Sequence, residues 1–143
     1  MNEYERPIRQ VLDSYKAAVN SKDVGTFISL YTSDVVVFDM WAEWAYKGVD
    51  AWRKVVADWF GSLGSERVVV EMNDVQVNAE DNLATIHAFV TFKGVSSEGK
   101  ELRSMQNRFT WVLQNRAGAW KIIHEHSSAP ADLETSKVIL QPD

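Results

Sequence analysis

Tryptophans are concentrated in one part of this sequence, beside an aspartate that could do chemistry. Four of the six tryptophans fall within 19 residues, namely Trp41, Trp44, Trp52 and Trp59. A tryptophan has a large apolar surface and an indole N–H that needs a partner when it is buried. The cluster therefore predicts either an aromatic core or an aromatic wall around a ligand. Asp39 follows the short apolar run 35–38, and a wall of Trp41 and Trp44 would desolvate its carboxylate, raise its pKa and make it a better base.

Two histidines and an asparagine fall on the predicted inner surface of two neighbouring strands. One face of the last strand carries Trp120, Ile122, His124, His126 and Ser128. Because Trp and Ile are apolar, we expect this face to point inward and to carry both histidines. One face of the preceding strand carries Arg103, Met105, Asn107, Phe109, Trp111 and Leu113. With a four-residue turn between the strands, Asn107 lies roughly opposite His126, which predicts a surface that is apolar near the turn and polar beyond it.

The histidine pair admits three interpretations. His124 and His126 could be core residues that are hydrogen-bonded within the protein, since buried polar groups usually find protein partners. They could instead line a pocket that holds no metal. A metal site would need a third ligand, for which only the distant Asp39 or Glu43 is available. We expect no metal and no cofactor.

The elements that must position these residues follow from the apolar periodicity. Helical spacing predicts a first helix over 8–19, a short second helix with Asp23 as its N-cap, and a third helix over about 50–60. Strands are predicted over 35–38, 68–77, 84–93, 102–114 and 120–128, with a loop of about ten residues after Asp39. Three helices followed by hairpin strands predict an α+β fold, in which the helices pack on a curved, cone-shaped antiparallel sheet and enclose one pocket.

Composition excludes several kinds of chemistry and of partner. The chain has 143 residues, a formal net charge of −5 and no cysteine, which excludes disulfides and thiolate catalysis. We predict one domain over 1–143, with a core over about 8–130 and a peripheral C-terminal extension over 131–143. The acidic balance argues against a nucleic-acid partner. No apolar run is long enough for a membrane helix, and the first residues lack a signal core, so we expect a cytoplasmic protein without a membrane partner.

The order of predicted elements resembles the nuclear-transport-factor-two-like superfamily, also called SnoaL-like or ketosteroid-isomerase-like. The stretch from Tyr15 through Asp23 and from Tyr31 to Asp39 is similar to the N-terminal half of bacterial ketosteroid isomerases. This resemblance implies that Tyr15 stands where those enzymes have the tyrosine that donates to the substrate oxygen. It implies that Asp39 stands where they have the catalytic base.

The stretch 118–130 carries the second resemblance. Its Trp-x-Ile-x-His-x-His-x-Ser pattern resembles the SnoaL-like subgroup and the association domain of calcium/calmodulin-dependent kinase II. The sequence also departs from both relatives. At Thr110 and Trp111 it lacks the second, protonated acid of the isomerases and the arginine of the association domain. His126, His124 or Asn107 could replace that acid.

Two functions from different classes follow from the resemblance. The first is a small-molecule-binding enzyme without a cofactor: an isomerase, cyclase, dehydratase or hydrolase for a compact apolar substrate with a carbonyl or epoxide. Its predicted pocket is lined by Tyr15, Asp39, Trp41, Trp44, Asn107, Trp111, His124 and His126. The second is a non-catalytic ligand-binding or association module of the same fold. In that case Asp39 would be a turn residue that closes a strand, and Tyr15 an aromatic residue packed on the sheet.

The outer face of the sheet predicts a second copy of the chain as a partner. That face should carry Arg108, Thr110, Val112 and Ile123, which is too apolar in places for a fully wetted surface. Members of the resembling superfamily often pair in this way. We therefore expect a homodimer.

Overall fold

The computed structural model describes residues 3–142, which form an α+β fold. The helices are α1 (Glu5–Ser21), α2 (Val24–Ile28) and α3 (Val49–Ser62). The strands are β1 (Tyr31–Phe38), β2 (Tyr46–Lys47), β3 (Arg67–Ala79), β4 (Leu83–Val95), β5 (Glu101–Arg116) and β6 (Ala119–Ser128). The three helices pack on a curved, unclosed sheet, which confirms the predicted fold class.

The helices form where the apolar spacing predicts them. The buried face of α1 carries Ile8, Val11, Leu12, Tyr15, Ala18 and Val19, at the three- and four-residue spacing of one helix face. The helix ends at Lys22, whose φ of 56° is left-handed. Asp23 then caps α2, because its carboxylate accepts a hydrogen bond from the Thr26 N–H at 3.1 Å.

The sheet is mixed rather than purely antiparallel. Its strand order is β2-β1-β6-β5-β4-β3, and β1 runs parallel to β6, with Phe38 opposite His126. The expectation of an antiparallel sheet is wrong at this pair, because β6, the strand farthest from β1 in sequence, pairs with it in the same direction. The short β2 lies in the segment that was predicted to be a loop, and it pairs with β1.

A β-bulge in β6 reverses which side chains of that strand point inward. Leu113 of β5 pairs with Ile122, but the next residue, Val112, pairs with His124, so Ile123 is an extra residue. Beyond this point Glu125 faces the interior and is 4% exposed, whereas His126 is exposed. The predicted inner face of β6 is therefore correct at Ile122 and wrong for both histidines.

The turn between β5 and β6 is also shorter than predicted. Ala117 and Gly118 alone form it, with φ of 54° and 84°, which is the left-handed pair typical of a two-residue hairpin turn. Trp120 consequently pairs with Asn115, and His126 pairs with Thr110 instead of Asn107.

The last residues return to the sheet. Residues 131–139 are exposed, and then the Gln106 N–H donates to the Leu140 carbonyl at 2.7 Å. The side-chain amide of Gln141 donates to the Ser104 carbonyl at 2.7 Å, so the end of the described chain is held against β5. Among residues 3–142, no helix is both long enough and apolar enough to cross a bilayer.

Candidate functional site

A cavity of about 610 Å³ lies between the helices and the inner face of the sheet. Its wall is mostly aliphatic and aromatic, and all three helices contribute to it. The polar or ionisable side chains in the wall include Tyr15, Asp39, Tyr46, Arg103, Ser104, Asn107, Glu125 and Ser127. An apolar cavity with a few converging polar groups is the usual form of a small-molecule site.

Asp39 stands in the cavity wall directly after β1. The Ser127 hydroxyl donates to its Oδ1 at 3.1 Å, and the Trp41 N–H donates to its Oδ2 at 3.3 Å. Burial raises the pKa of Asp39, and the hydrogen bond from Ser127 offsets part of that rise by stabilising the charged form. The side chain is thus a partly desolvated carboxylate whose orientation is fixed by two donors.

Glu125 is a second carboxyl in the same wall, and it is more deeply buried. The Tyr31 hydroxyl donates to its Oε1 at 2.6 Å, and the Trp111 indole N–H donates to the same atom at 2.9 Å. Burial raises the pKa of Glu125 to about 7, and the nearby charge of Asp39 contributes to the rise. Two carboxyls of different proton affinity therefore face one cavity, which is an arrangement that allows one to act as a base and the other as an acid.

Tyr15 reaches the cavity from α1. It is 5% exposed, and its ring packs against Phe27 and Trp111 with centroid distances of 5.0 and 5.1 Å. Burial raises the pKa of Tyr15 well above its ordinary value, and the charges of Glu125 and Asp39 add to this. The hydroxyl therefore keeps its proton and is available as a hydrogen-bond donor.

Asn107 and Trp41 also lie in the cavity wall. The Asn107 Oδ1 is buried and has no hydrogen-bond partner among the described residues, and its Nδ2 is 3.5 Å from the weak acceptor Met40 Sδ. An amide with unused hydrogen-bonding capacity can pair with a polar group of a ligand. Trp41 is 47% exposed and stands beside Asp39.

Four residues expected in the pocket lie elsewhere. Trp111 is fully buried behind the wall, where its indole N–H holds Glu125. Because of the bulge, His124 and His126 lie on the outer side of β6, where both pack against Phe38 with centroid distances of 4.8 and 5.5 Å. Trp44 is 98% exposed, because the loop after Asp39 turns outward.

Trp44 and His126 line a separate depression of about 600 Å³, which shares Asp39 and Ser127 with the cavity. The His124 ring nitrogen Nδ1 is 2.6 Å from the Val36 carbonyl oxygen. Among residues 3–142, no group of three or more His, Cys, Asp or Glu side chains is arranged to hold a metal.

Glu125, Ser127 and Tyr31 are not among the site residues that the sequence predicts. The signal was present in the adjacent Ile122 and Ile123, because two successive apolar residues interrupt strict alternation and are compatible with a bulge. Glu125 of β6 pairs with Trp111 of β5. The strand β6 therefore supplies a carboxyl beside the position where the sequence lacks the second acid of the isomerases.

Comparisons with known proteins agree with this architecture. Residues 8–132 match the family model described as the SnoaL-like domain. The chain is similar to an NTF2-like protein of unknown function from Pseudomonas putida KT2440, with 29% sequence identity and a TM-score of 0.84 over 95% of this chain and 93% of that chain. No curated protein matches the sequence.

Two more distant structures share the fold. A protein from Xanthomonas campestris described as a calcium/calmodulin dependent protein kinase II association domain has 22% identity and a TM-score of 0.76, covering 92% of this chain and 91% of that chain. An NTF2-like protein with a cystatin-like fold from Novosphingobium aromaticivorans has 16% identity and a TM-score of 0.72, covering 87% and 80%. Together with the family model, these matches confirm the resemblance to the nuclear-transport-factor-two-like, SnoaL-like superfamily.

Proposed function

This chain belongs to the SnoaL-like domain family, a family of small-molecule-binding domains, and we propose that it is an enzyme that needs no cofactor. The proposed reaction is proton transfer on a compact, largely apolar substrate that contains a carbonyl group. The observation that carries the proposal is the partly desolvated carboxylate of Asp39 in the wall of an otherwise apolar cavity.

The proposed chemistry assigns one task to each side chain. The Asp39 carboxylate takes a proton from the carbon next to the carbonyl, and the electron pair of that C–H bond moves towards the carbonyl oxygen. The Tyr15 hydroxyl donates a hydrogen bond to that oxygen as its negative charge develops. Protonated Asp39 then returns the proton to another carbon, which completes an isomerisation, or exchanges it with solvent and delivers a solvent proton to the same carbon, which completes an exchange; both regenerate the base.

A non-catalytic ligand-binding module is the second candidate function. It is favoured by the hydrogen bond that Asp39 accepts from the Trp41 N–H, which is the contact expected of a turn residue that closes a strand. The two functions differ in a measurable way, because a binding module has no proton transfer to lose when Asp39 is changed.

Exchange of α-hydrogens for deuterium tests for proton abstraction without knowledge of the complete reaction. Compact apolar ketones such as 1-indanone and 1-tetralone would be incubated with the protein in D₂O, and loss of the α-hydrogen signal would be followed by ¹H NMR. We expect the protein to accelerate exchange for at least one ketone above the buffer rate. Ketones that bind without accelerated exchange would favour the binding module.

We also propose a homodimer that forms through the outer face of the sheet. Arg108 and Thr110 are exposed on this face, and Thr110 lies between His87 and His126 in the strand register. Nearby Phe89 is 51% exposed, which supports a surface that is covered by a partner. Ile123, which was predicted for this outer face, is the extra residue of the bulge and is half-buried.

The dimer predicts that Thr110→Arg will shift the protein to monomer, because the substitution places a cation at the centre of the covered face. Sedimentation velocity at micromolar concentration would measure the shift. Asn82→Arg adds the same charge in the exposed turn between β3 and β4 and should leave the dimer intact. A wild-type protein that sediments as a monomer would contradict the proposal.

A further inference from the structure

We propose that the ligand of this cavity carries a cationic nitrogen in addition to the carbonyl group of the proposed substrate, so that its class is an apolar amine or ammonium compound and not an anion. This inference rests on the proposed function only in placing the substrate in the cavity. The first observation is the wall, to which eight aromatic rings contribute: Tyr15, Phe27, Trp41, Tyr46, Trp52, Trp59, Phe92 and Phe109. Aromatic faces attract ammonium groups, and most strongly where water is excluded.

The two carboxyls lie close enough in that wall for the charge of Asp39 to act on Glu125. Glu125 and Ser127 are two residues apart on the inward side of β6, which separates them by about 7 Å along the strand. The Ser127 hydroxyl is bound to Asp39, so both acidic groups face the same part of the cavity. A single ligand nitrogen in this region would lie close to both.

The cationic side chain of the wall is already neutralised. Arg103 donates to both carboxylate oxygens of Glu66, at 2.6 and 3.4 Å. No lysine or histidine is among the described residues that line the cavity. The cavity therefore has uncompensated acidic groups, which repel anionic ligands such as carboxylates and phosphates and attract cations.

Two acceptors of the wall are unused, and a nitrogen cation would complement them; the wall also holds the Trp52 indole N–H, a buried donor without a partner among the described residues. Both donors to Glu125 go to Oε1, so Oε2 receives no hydrogen bond from the described residues, although the residue is only 4% exposed. The buried Asn107 Oδ1 likewise has no donor there. A protonated amine has only donors to offer, and a buried carboxyl is stable when a cation pairs with it.

The charge state of Glu125 is compatible with this binding mode. The titratable groups that act on Glu125 are Asp39, Tyr15 and Tyr31. Burial keeps both tyrosines neutral. Because burial raises the pKa of Glu125 to about 7, ionising this carboxyl costs little at neutral pH. A cation within 4–6 Å lowers a carboxyl pKa by roughly 1–3 units, so binding an amine should release protons from the protein.

Three probes of similar size and different charge test the inference: phenethylamine, 2-phenylethanol and 3-phenylpropanoate. Isothermal titration calorimetry at pH 7, in two buffers that differ in ionisation enthalpy, would give the affinities and the number of protons released. We expect the amine to bind at least about tenfold more tightly than the alcohol, and the carboxylate to bind more weakly than both. Amine binding should release a fraction of a proton.

Variants identify the groups responsible. Glu125→Gln should remove the proton release and reduce the preference for the amine, and Asp39→Asn should reduce that preference independently. Glu80→Gln, in the exposed turn after β3, should behave like the wild type. Equal affinity for amine and alcohol, no amine binding at millimolar concentration, or an amine preference that survives in both cavity variants would overturn the inference. These measurements report binding and involve no turnover. A negative result would therefore contradict the amine ligand, whereas absence of ketone exchange would contradict the proposed proton abstraction.

Discussion

Replacing Asp39 by asparagine should reduce catalysed α-hydrogen exchange by about 10²–10⁴-fold, which is the usual contribution of a general base. Asparagine has nearly the same shape, and its amide oxygen can still accept the Ser127 hydroxyl hydrogen bond, but it cannot take a proton at neutral pH. The cavity remains, so we expect ketone binding to persist. The comparison is kcat for wild type and variant on any ketone that the wild type exchanges.

Asp58→Asn is the matched control, because it makes the same change on the exposed side of α3, outside the cavity wall. It should retain full activity. Tyr15→Phe should lose less activity than Asp39→Asn if water or another donor can serve the substrate oxygen. Undiminished exchange in Asp39→Asn would show that Asp39 is not the base. Glu125 would then be the next candidate, because both histidines of β6 lie on the outer side of the sheet.

The free energy of unfolding should fall by about 3 kcal/mol between pH 4.5 and pH 8 because of Glu125 alone. Its carboxyl has a pKa of about 7 in the folded protein and 4.5 as an ordinary glutamate. Between these values the folded state binds more protons than the unfolded state. The stabilisation is therefore complete below pH 4.5 and is lost as the pH rises through 7.

Urea unfolding of the wild type and Glu125→Gln across this range measures that contribution. Glutamine can accept from Tyr31 and Trp111 as the neutral carboxyl does, so the two proteins should have similar stability at pH 4.5. At pH 8 the variant should be the more stable by about 3 kcal/mol, since it has no charge to bury. Titrating groups that do not interact with Glu125 are common to both proteins and cancel. Parallel stability profiles would show that Glu125 ionises as readily in the folded protein as in the unfolded one.

Much of the fold was predictable because local signals determine it. The apolar spacing of α1 and the capping residue Asp23 act within a few residues of sequence, and both predictions are confirmed. The alternation along β5 is also uninterrupted, so the face shared by Asn107, Phe109 and Leu113 was found correctly. The pairing of β1 with β6 joins distant parts of the chain, and no local pattern encodes it.

The candidate site was predictable only in part, for a related reason. Asp39 and Asn107 reach the cavity because each lies on or directly after a regular strand. Strict alternation through Ile123, which places His124 and His126 on the inner face, places Glu125 on the outer face, and the bulge makes this wrong. A bulge depends on how two strands fit together, whereas alternation is a property of one strand, so the adjacent Ile122 and Ile123 are compatible with a bulge but do not require one.

The bulge also affects how relatives of this protein diverge. Loss of the bulge with Ile123 retained would shift every later residue of β6 by one position, so that Glu125 and Ser127 would face outward and both histidines inward. Deletion of Ile123 would also remove the bulge, but it would restore regular alternation from Ile122 to His124 and keep Glu125 in the cavity wall. A gap at this position in an alignment of relatives would therefore leave the inward carboxyl in place, whereas a relative with the same residues and a regular strand would have two imidazoles there instead.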